Sequence, residues 1–123
     1  PEVTVTEMTG EFLKRVLEDV ADNLFHPDPY YQQGGDMVRV GGMNYTLAPL
    51  AGFGKRISNL SLNGKPIKAT KTYKIASWGS VQRTEGEPVW DVVARWLRAK
   101  GEIREVRPNR PILEGISCNY GIA

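Results

Sequence analysis

Val3-Thr4-Val5-Thr6-Glu7-Met8-Thr9-Gly10-Glu11-Phe12-Leu13-Lys14-Arg15-Val16-Leu17-Glu18-Asp19-Val20-Ala21-Asp22-Asn23-Leu24 is the stretch that decides the fold class. Val3 to Thr6 alternates β-branched residues and reads as a strand. Phe12, Leu13, Val16, Leu17, Val20, Ala21 and Leu24 then recur at helical spacing as one apolar stripe. Glu11, Lys14, Arg15, Glu18, Asp19 and Asp22 fill the opposite face, which the pattern assigns to solvent. The spacing predicts an amphipathic helix from about Gly10 to Leu24. Pro27 and Pro29 end it, because neither supplies a backbone N–H and each disfavours helix in the residue before it.

Downstream, residues 26–36 form a long loop of a kind that is often functional in compact domains. Met37-Val38-Arg39-Val40 is predicted as a short strand, and Met43 to Leu47 as its continuation. Arg56 to Leu62 alternates apolar and polar residues. Asn63-Gly64 is the strongest short hairpin signal, and Pro66 places the returning strand at a sheet edge. Thr72 to Ala76 is a further strand. Residues 77–88 form a second polar loop, with Pro88 suited to a first helical turn. Val89, Val92, Val93, Trp96 and Leu97 make a second apolar stripe, on which Trp90 and Trp96 are expected to be core. Asp91 precedes Arg95, Arg98 and Lys100, an order that complements the helix dipole, and Gly101 stops the helix. Pro111-Ile112-Leu113 reads as a last edge strand. The order β-α-β-β-β-β-α-β predicts an α+β fold: two amphipathic helices packed on a mixed or antiparallel sheet.

The chain has 123 residues, enough for one domain with its own core. It opens at Pro1 without Met, so removal of an upstream segment is expected. No apolar run is long enough to span a bilayer, and no signal peptide is legible. A single cysteine, Cys118, excludes an internal disulfide and a thiolate zinc site. With one histidine, His26, and no dense carboxylate cluster, a self-contained hydrolase is disfavoured. Net charge is only +2, but residues 1–38 carry 2 basic and 8 acidic side chains, whereas residues 39–83 carry 8 basic and none acidic. Apart from Lys55-Arg56 the basic residues are singly spaced, with few aromatics among them. That favours an anionic small molecule or an acidic neighbouring domain over nucleic acid.

Two loops concentrate unusual chemistry. In the first, Gly34-Gly35 permits positive φ and close approach to a ligand, with N–H groups available to an anion. Tyr30 and Tyr31 offer faces, Gln32 and Gln33 amides, and Arg39 a planar guanidinium suited to oxyanions. The plain alternative is a turn whose tyrosines pack on the sheet and whose arginine is solvated. In the second, Trp78 and Arg83 could form a stacking wall and an anion contact, or a core cap and a surface charge. His26 is expected to be a loop residue without a titrating role, and Cys118 a small half-buried hydrophobe.

Asp28-Pro29-Tyr30-Tyr31-Gln32-Gln33-Gly34-Gly35-Asp36-Met37-Val38-Arg39-Val40-Gly41-Gly42 resembles the signature stretch of the SoxB family, the thiosulfohydrolases of bacterial thiosulfate oxidation. Gly54-Lys55-Arg56-Ile57, Leu62-Asn63-Gly64-Lys65-Pro66-Ile67, Lys71-Thr72-Tyr73-Lys74 and Gly86-Glu87-Pro88-Val89-Trp90-Asp91-Val92-Val93 fit as well. The Asn-Gly-Lys-Pro and Lys-Thr-Tyr pieces are shared with the broader 5′-nucleotidase C-terminal domain superfamily. The resemblance implies a 5′-nucleotidase C-terminal domain-like fold, spanning residues 1–123 as most of a substrate-specificity domain. It implies that the catalytic metallophosphoesterase domain, with two manganese ions, lies in an N-terminal portion outside this sequence.

By the same resemblance, the parent is a periplasmic hydrolase that releases sulfate from a cysteine S-thiosulfonate on the SoxYZ carrier, and this chain alone is inactive and holds no cofactor. Its partners are then the N-terminal domain of the same protein and the SoxYZ arm, with neither nucleic acid nor membrane. Gln33, Gly34, Gly35, Asp36 and Arg39 match the family loop facing the cleft. Trp78 and Arg83 lie where nucleotidases carry a substrate-clamping Phe and a Gly-Gly-Asp-Gly turn; Ala76-Ser77-Trp78-Gly79-Ser80 stands there instead. Two alternatives stay open: the specificity domain of a 5′-nucleotidase or sugar-nucleotide hydrolase, and a stand-alone interaction module.

Overall fold

A computed structural model describes residues 1–78, 85–104 and 108–117; Arg83 and Cys118 lie outside the described residues. In chain order the elements are β1 (Glu2–Thr9), α1 (Gly10–Phe25), a 3-10 turn (Pro29–Tyr31), β2 (Met43–Leu47), β3 (Ile57–Leu62), β4 (Lys65–Pro66), β5 (Thr72–Trp78), β6 (Glu87–Pro88), α2 (Val89–Lys100) and β7 (Ile112–Leu113). They pack as two compact units: Pro1–Thr9 with Thr72–Arg107, and Gly10–Lys71 with Pro108–Ala123. The α+β class is as the sequence predicts, with one helix and one sheet in each unit.

The second unit holds the core. α1 buries Leu13, Leu17 and Ala21, which join Met43, Tyr45 and Leu47 of β2 and Ile57 of β3. Each such large apolar side chain removed from water contributes roughly 1.5–3 kcal/mol. α1 starts at Gly10 because its first amides find backbone acceptors: Gly10 donates to the Lys71 carbonyl and Glu11 to that of Ala69, both at 3.0 Å. A side chain would not fit there, since a Cβ on Gly10 would sit 2.3 Å from the Lys68 carbonyl oxygen. The sheet runs β4-β3-β2-β7, antiparallel except for the parallel β2–β7 pair. Asn63 and Gly64 both take positive φ (49° and 78°), the two-residue hairpin turn that joins β3 to β4. Pro66 lies on the edge strand as expected, paired with Ser61. Between β2 and β3 the register shifts, with Asn44 opposite Ser61 but Thr46 opposite Ser58. Asn59, at φ 52°, absorbs the extra residue as a bulge.

Two expectations for this unit fail. Met37 to Val40 is not a strand. The consecutive positive-φ glycines 34 and 35 turn the chain just before it, and its backbone joins no ladder until Met43. Nor is Glu18 solvated: it is buried, and half-buried Asp22 pairs with buried Arg56. Tertiary acceptor demand overrides the amphipathic pattern there.

The first unit is an antiparallel sheet of order β5-β1-β6 with α2 against β6 and β1. β1 pairs along its length with β5, from Val3 opposite Trp78 to Thr9 opposite Thr72. α2 follows Pro88 and ends at Gly101, whose φ of 69° lets its N–H reach the Leu97 carbonyl at 3.0 Å. Trp90 and Trp96 are not core: they are 59% and 48% exposed. The helix turns Val89 and Val92 partly inward, and none of its residues is fully buried. β6 supplies only two residues, so the sheet is too narrow to cover the whole stripe. No described helix is long and apolar enough to cross a membrane.

Candidate functional site

The loop that carries the signature stretch is rooted in a buried polar network. Arg56 is only 2% exposed, and each of its three guanidinium nitrogens donates a hydrogen bond. Nη1 pairs with Asp22 Oδ1 at 2.6 Å, Nη2 donates to the Phe25 carbonyl at 3.1 Å, and Nε donates to the Pro49 carbonyl at 3.3 Å. A planar fork with several donors suits such a triple task, which a lysine could not perform. Its charge also faces the carbonyl end of α1, where a cation is favoured. One turn earlier Glu18 accepts three amides: Ile57 N–H at Oε1 (2.8 Å), and Gly54 and Arg56 N–H at Oε2 (3.0 and 3.3 Å). Together these bonds fix the C-terminal end of α1, where the loop begins. They also withdraw Arg56 from the basic middle segment as a source of surface charge.

From there the loop is built stepwise. Asp28 caps the 3-10 turn by accepting the Tyr30 N–H at 2.9 Å. His26 Nδ1 accepts the Asp28 N–H at 3.1 Å, and Gln32 Nε2 donates to the His26 carbonyl at 2.7 Å. The His26 ring lies 5.0 Å from Tyr31, which meets Tyr30 edge-on at 5.5 Å. The tyrosines do not pack on the sheet; they are 88% and 59% exposed. Further along, Gly34 donates to the Asn23 carbonyl at 3.2 Å, and the buried Tyr45 phenol donates to the Val38 carbonyl at 3.4 Å. Desolvation by burial raises the Tyr45 pKa above its usual value of 10.0. The loop closes where Gly42 donates to Asn109 Oδ1 at 2.7 Å and accepts from the Asn63 amide at 3.0 Å.

Between these pins Gln33, Gly34, Gly35, Asp36 and Arg39 are exposed on one surface loop. Gly34 and Gly35 adopt φ of 81° and 102°, conformations that disfavour any side chain, with open space beside both. The Gly34 amide is already spent on Asn23, so the available backbone donor moves to Gly35. Arg39 forms no ion pair among the described residues. An exposed guanidinium and an open backbone turn on a pinned loop can receive an oxyanion. Trp78 ends β5 in the other unit, opposite Val3; its side chain lies outside the described residues, as does all of Arg83. Among the described residues no group of three or more His, Cys, Asp or Glu is placed to hold a metal ion. The Glu18–Arg56–Asp22 network and Asn109 were not legible as loop anchors. Their only sequence signal is a set of polar residues whose partners are distant in the chain.

Residues 1–94 match the family model for the 5′-nucleotidase C-terminal domain. No curated protein matches significantly. Among solved structures, the sulfate thiohydrolase SoxB of Thermus thermophilus, in complex with glycerol, shares 35% identity with a TM-score of 0.78, over 94% of this chain and 23% of that one. A Staphylococcus aureus structure assigned as a 5′-nucleotidase, in complex with alpha-ketoglutarate, aligns with a TM-score of 0.61 at 17% identity, over 91% of this chain and 27% of that one. The second likeness is one of fold alone. The chain spans about a quarter of the length of either relative.

Proposed function

The chain belongs to the 5′-nucleotidase C-terminal domain family, and from that premise we propose that it is the substrate-binding domain of a SoxB-like thiosulfohydrolase. The parent would release sulfate from a cysteine S-thiosulfonate on a SoxYZ-type carrier in the periplasm. The observation that carries this reading is the pinned, exposed Gln33–Arg39 loop, whose guanidinium forms no ion pair among the described residues, lying within the stretch that resembles SoxB. The 35% identity to the Thermus SoxB structure supports it.

In this reading Arg39 neutralises the sulfonate, the Gly35 N–H and the Gln33 amide orient its oxygens, and Asp36 repels a misplaced anion. In this reading two manganese ions held by the N-terminal domain would supply the activated water, and the chain's own part is binding and orientation.

The test is Arg39→Ala in the full parent protein with a carrier-peptide S-thiosulfonate as substrate. A lost charged hydrogen bond lowers kcat/KM by about 1–3 kcal/mol, and unchanged kinetics remove Arg39 from the site. The family itself favours a second reading, a nucleotidase specificity domain. Faster hydrolysis of a nucleoside monophosphate than of the thiosulfonate would establish that reading in place of the first.

A further inference from the structure

We infer that the apolar face of α2 is the seat of polypeptide that precedes Pro1 in the parent protein. The inference rests on the reading above, in which this chain is one part of a longer hydrolase. Trp90, Val93, Trp96 and Leu97 recur at helical spacing, and all four are exposed. Two half-exposed indoles with Val93 and Leu97 make a patch on the order of 300–400 Å², within the range of the largest apolar patch on a typical monomer, which is often functional.

The unit that bears the patch is thinly packed among its described residues. Every fully buried apolar side chain among the described residues lies in the other unit, and the described apolar residues of the first unit, such as Val3, Ile75 and Val92, are at most half-buried. Half-burial leaves part of the main stabilising term of a folded chain unrealised. The occupant is indicated by where the chain enters. The Pro1 carbonyl oxygen accepts from the Val89 N–H at 3.0 Å, and Glu2 pairs with Pro88. Polypeptide joined to Pro1 therefore arrives at the first turn of α2, beside Trp90. More than three quarters of the Thermus SoxB chain lies outside the match, so the related protein has ample chain for the task.

Hydroxyl-radical footprinting of the full parent protein, read by peptide mass spectrometry without substrate, tests the inference. Exposed Tyr30 and buried Tyr45 give the internal scale. Trp90 and Trp96 are expected to be protected as strongly as Tyr45 at every point of a dilution series. Oxidation at the Tyr30 level overturns the inference. So does protection that fades on dilution, which assigns the face to a second copy. Trp96→Glu in the parent is expected to expose Trp90 while Tyr45 stays protected; Trp90 remaining protected in that folded variant is equally fatal. Where the variant loses Tyr45 protection, the wild-type footprint decides alone. The outcome is separable from the hydrolase reading. Protected tryptophans in a parent that leaves the thiosulfonate intact preserve the seat and discard the function, and turnover with reactive tryptophans does the reverse.

Discussion

Replacing Glu18 with alanine should be among the most damaging single changes in the second unit. Glu18 is 3% exposed and accepts three amides, those of Gly54, Arg56 and Ile57. Gly54 is exposed and can turn to water. Arg56 and Ile57 are buried, so their N–H groups lose an ionised acceptor and gain nothing. Each orphaned buried donor costs about 1–3 kcal/mol, and partial water entry brings the expected total to about 3–5 kcal/mol. Glu18→Gln keeps the shape, but its NH2 must face at least one amide donor. It is expected to fall between alanine and wild type. The assay is urea denaturation followed by far-UV circular dichroism. Tryptophan emission is the wrong probe, because residues 78, 90 and 96 all belong to the first unit. A loss for Glu18→Ala below about 0.5 kcal/mol, the size of an ordinary surface change, would refute the claim that this carboxylate holds the 54–57 segment to α1.

Gly10→Ala forces a Cβ to within 2.3 Å of the Lys68 carbonyl oxygen and 2.7 Å of Ile67 Cγ2. Backbone must move, and a loss of about 1–3 kcal/mol or more is expected in the same denaturation assay. The Tyr45 phenol, raised by desolvation, should ionise above the usual 10.0. Its contribution to stability is complete below the unfolded pKa and is lost as pH rises through the folded one. An alkaline absorbance titration should show one late tyrosine step that disappears in Tyr45→Phe. Glu87, held below the usual carboxylate value of 4.5 by its hydrogen bonds and charge pairing with Arg95, stays ionised to lower pH than a free glutamate. The pairing is present above the unfolded pKa and lost as pH falls through the folded one. In Arg95→Ala the Glu87 carboxyl resonance should titrate at higher pH.

The regular elements were legible because their signals are local. The α1 stripe, the Asn63-Gly64 turn, edge Pro66 and the Gly101 stop each follow from residues within one or two turns of one another. What escaped depended on distant partners. Glu18 looks like a surface carboxylate until the 54–57 amides arrive beside it. Trp90 and Trp96 look like core until the sheet beneath them proves narrow. Met37 to Val40 alternates like a strand, but no neighbouring strand offers it a ladder. The loop residues Gln33 to Arg39 were nominated from residue chemistry and a resemblance. The structure adds that they are exposed and pinned at both ends, and that the Gly34 amide is already engaged.

The path of the backbone has a consequence for biogenesis. Thr4 meets its partner Ser77 across 73 residues, and everything from Gly10 to Lys71 lies in the other unit. At translation speeds of roughly 5–20 residues per second, the first strand waits on the order of 4–15 seconds for the strand it pairs with. For that interval an alternating Val-Thr-Val-Thr ribbon emerges with its hydrogen-bonding edge open, a template for mispairing. Strands β2, β3 and β4 can pair in the meantime, but β7, which completes their sheet, is made only after β5, so the sheet of the second unit closes after the first strand has met its partner.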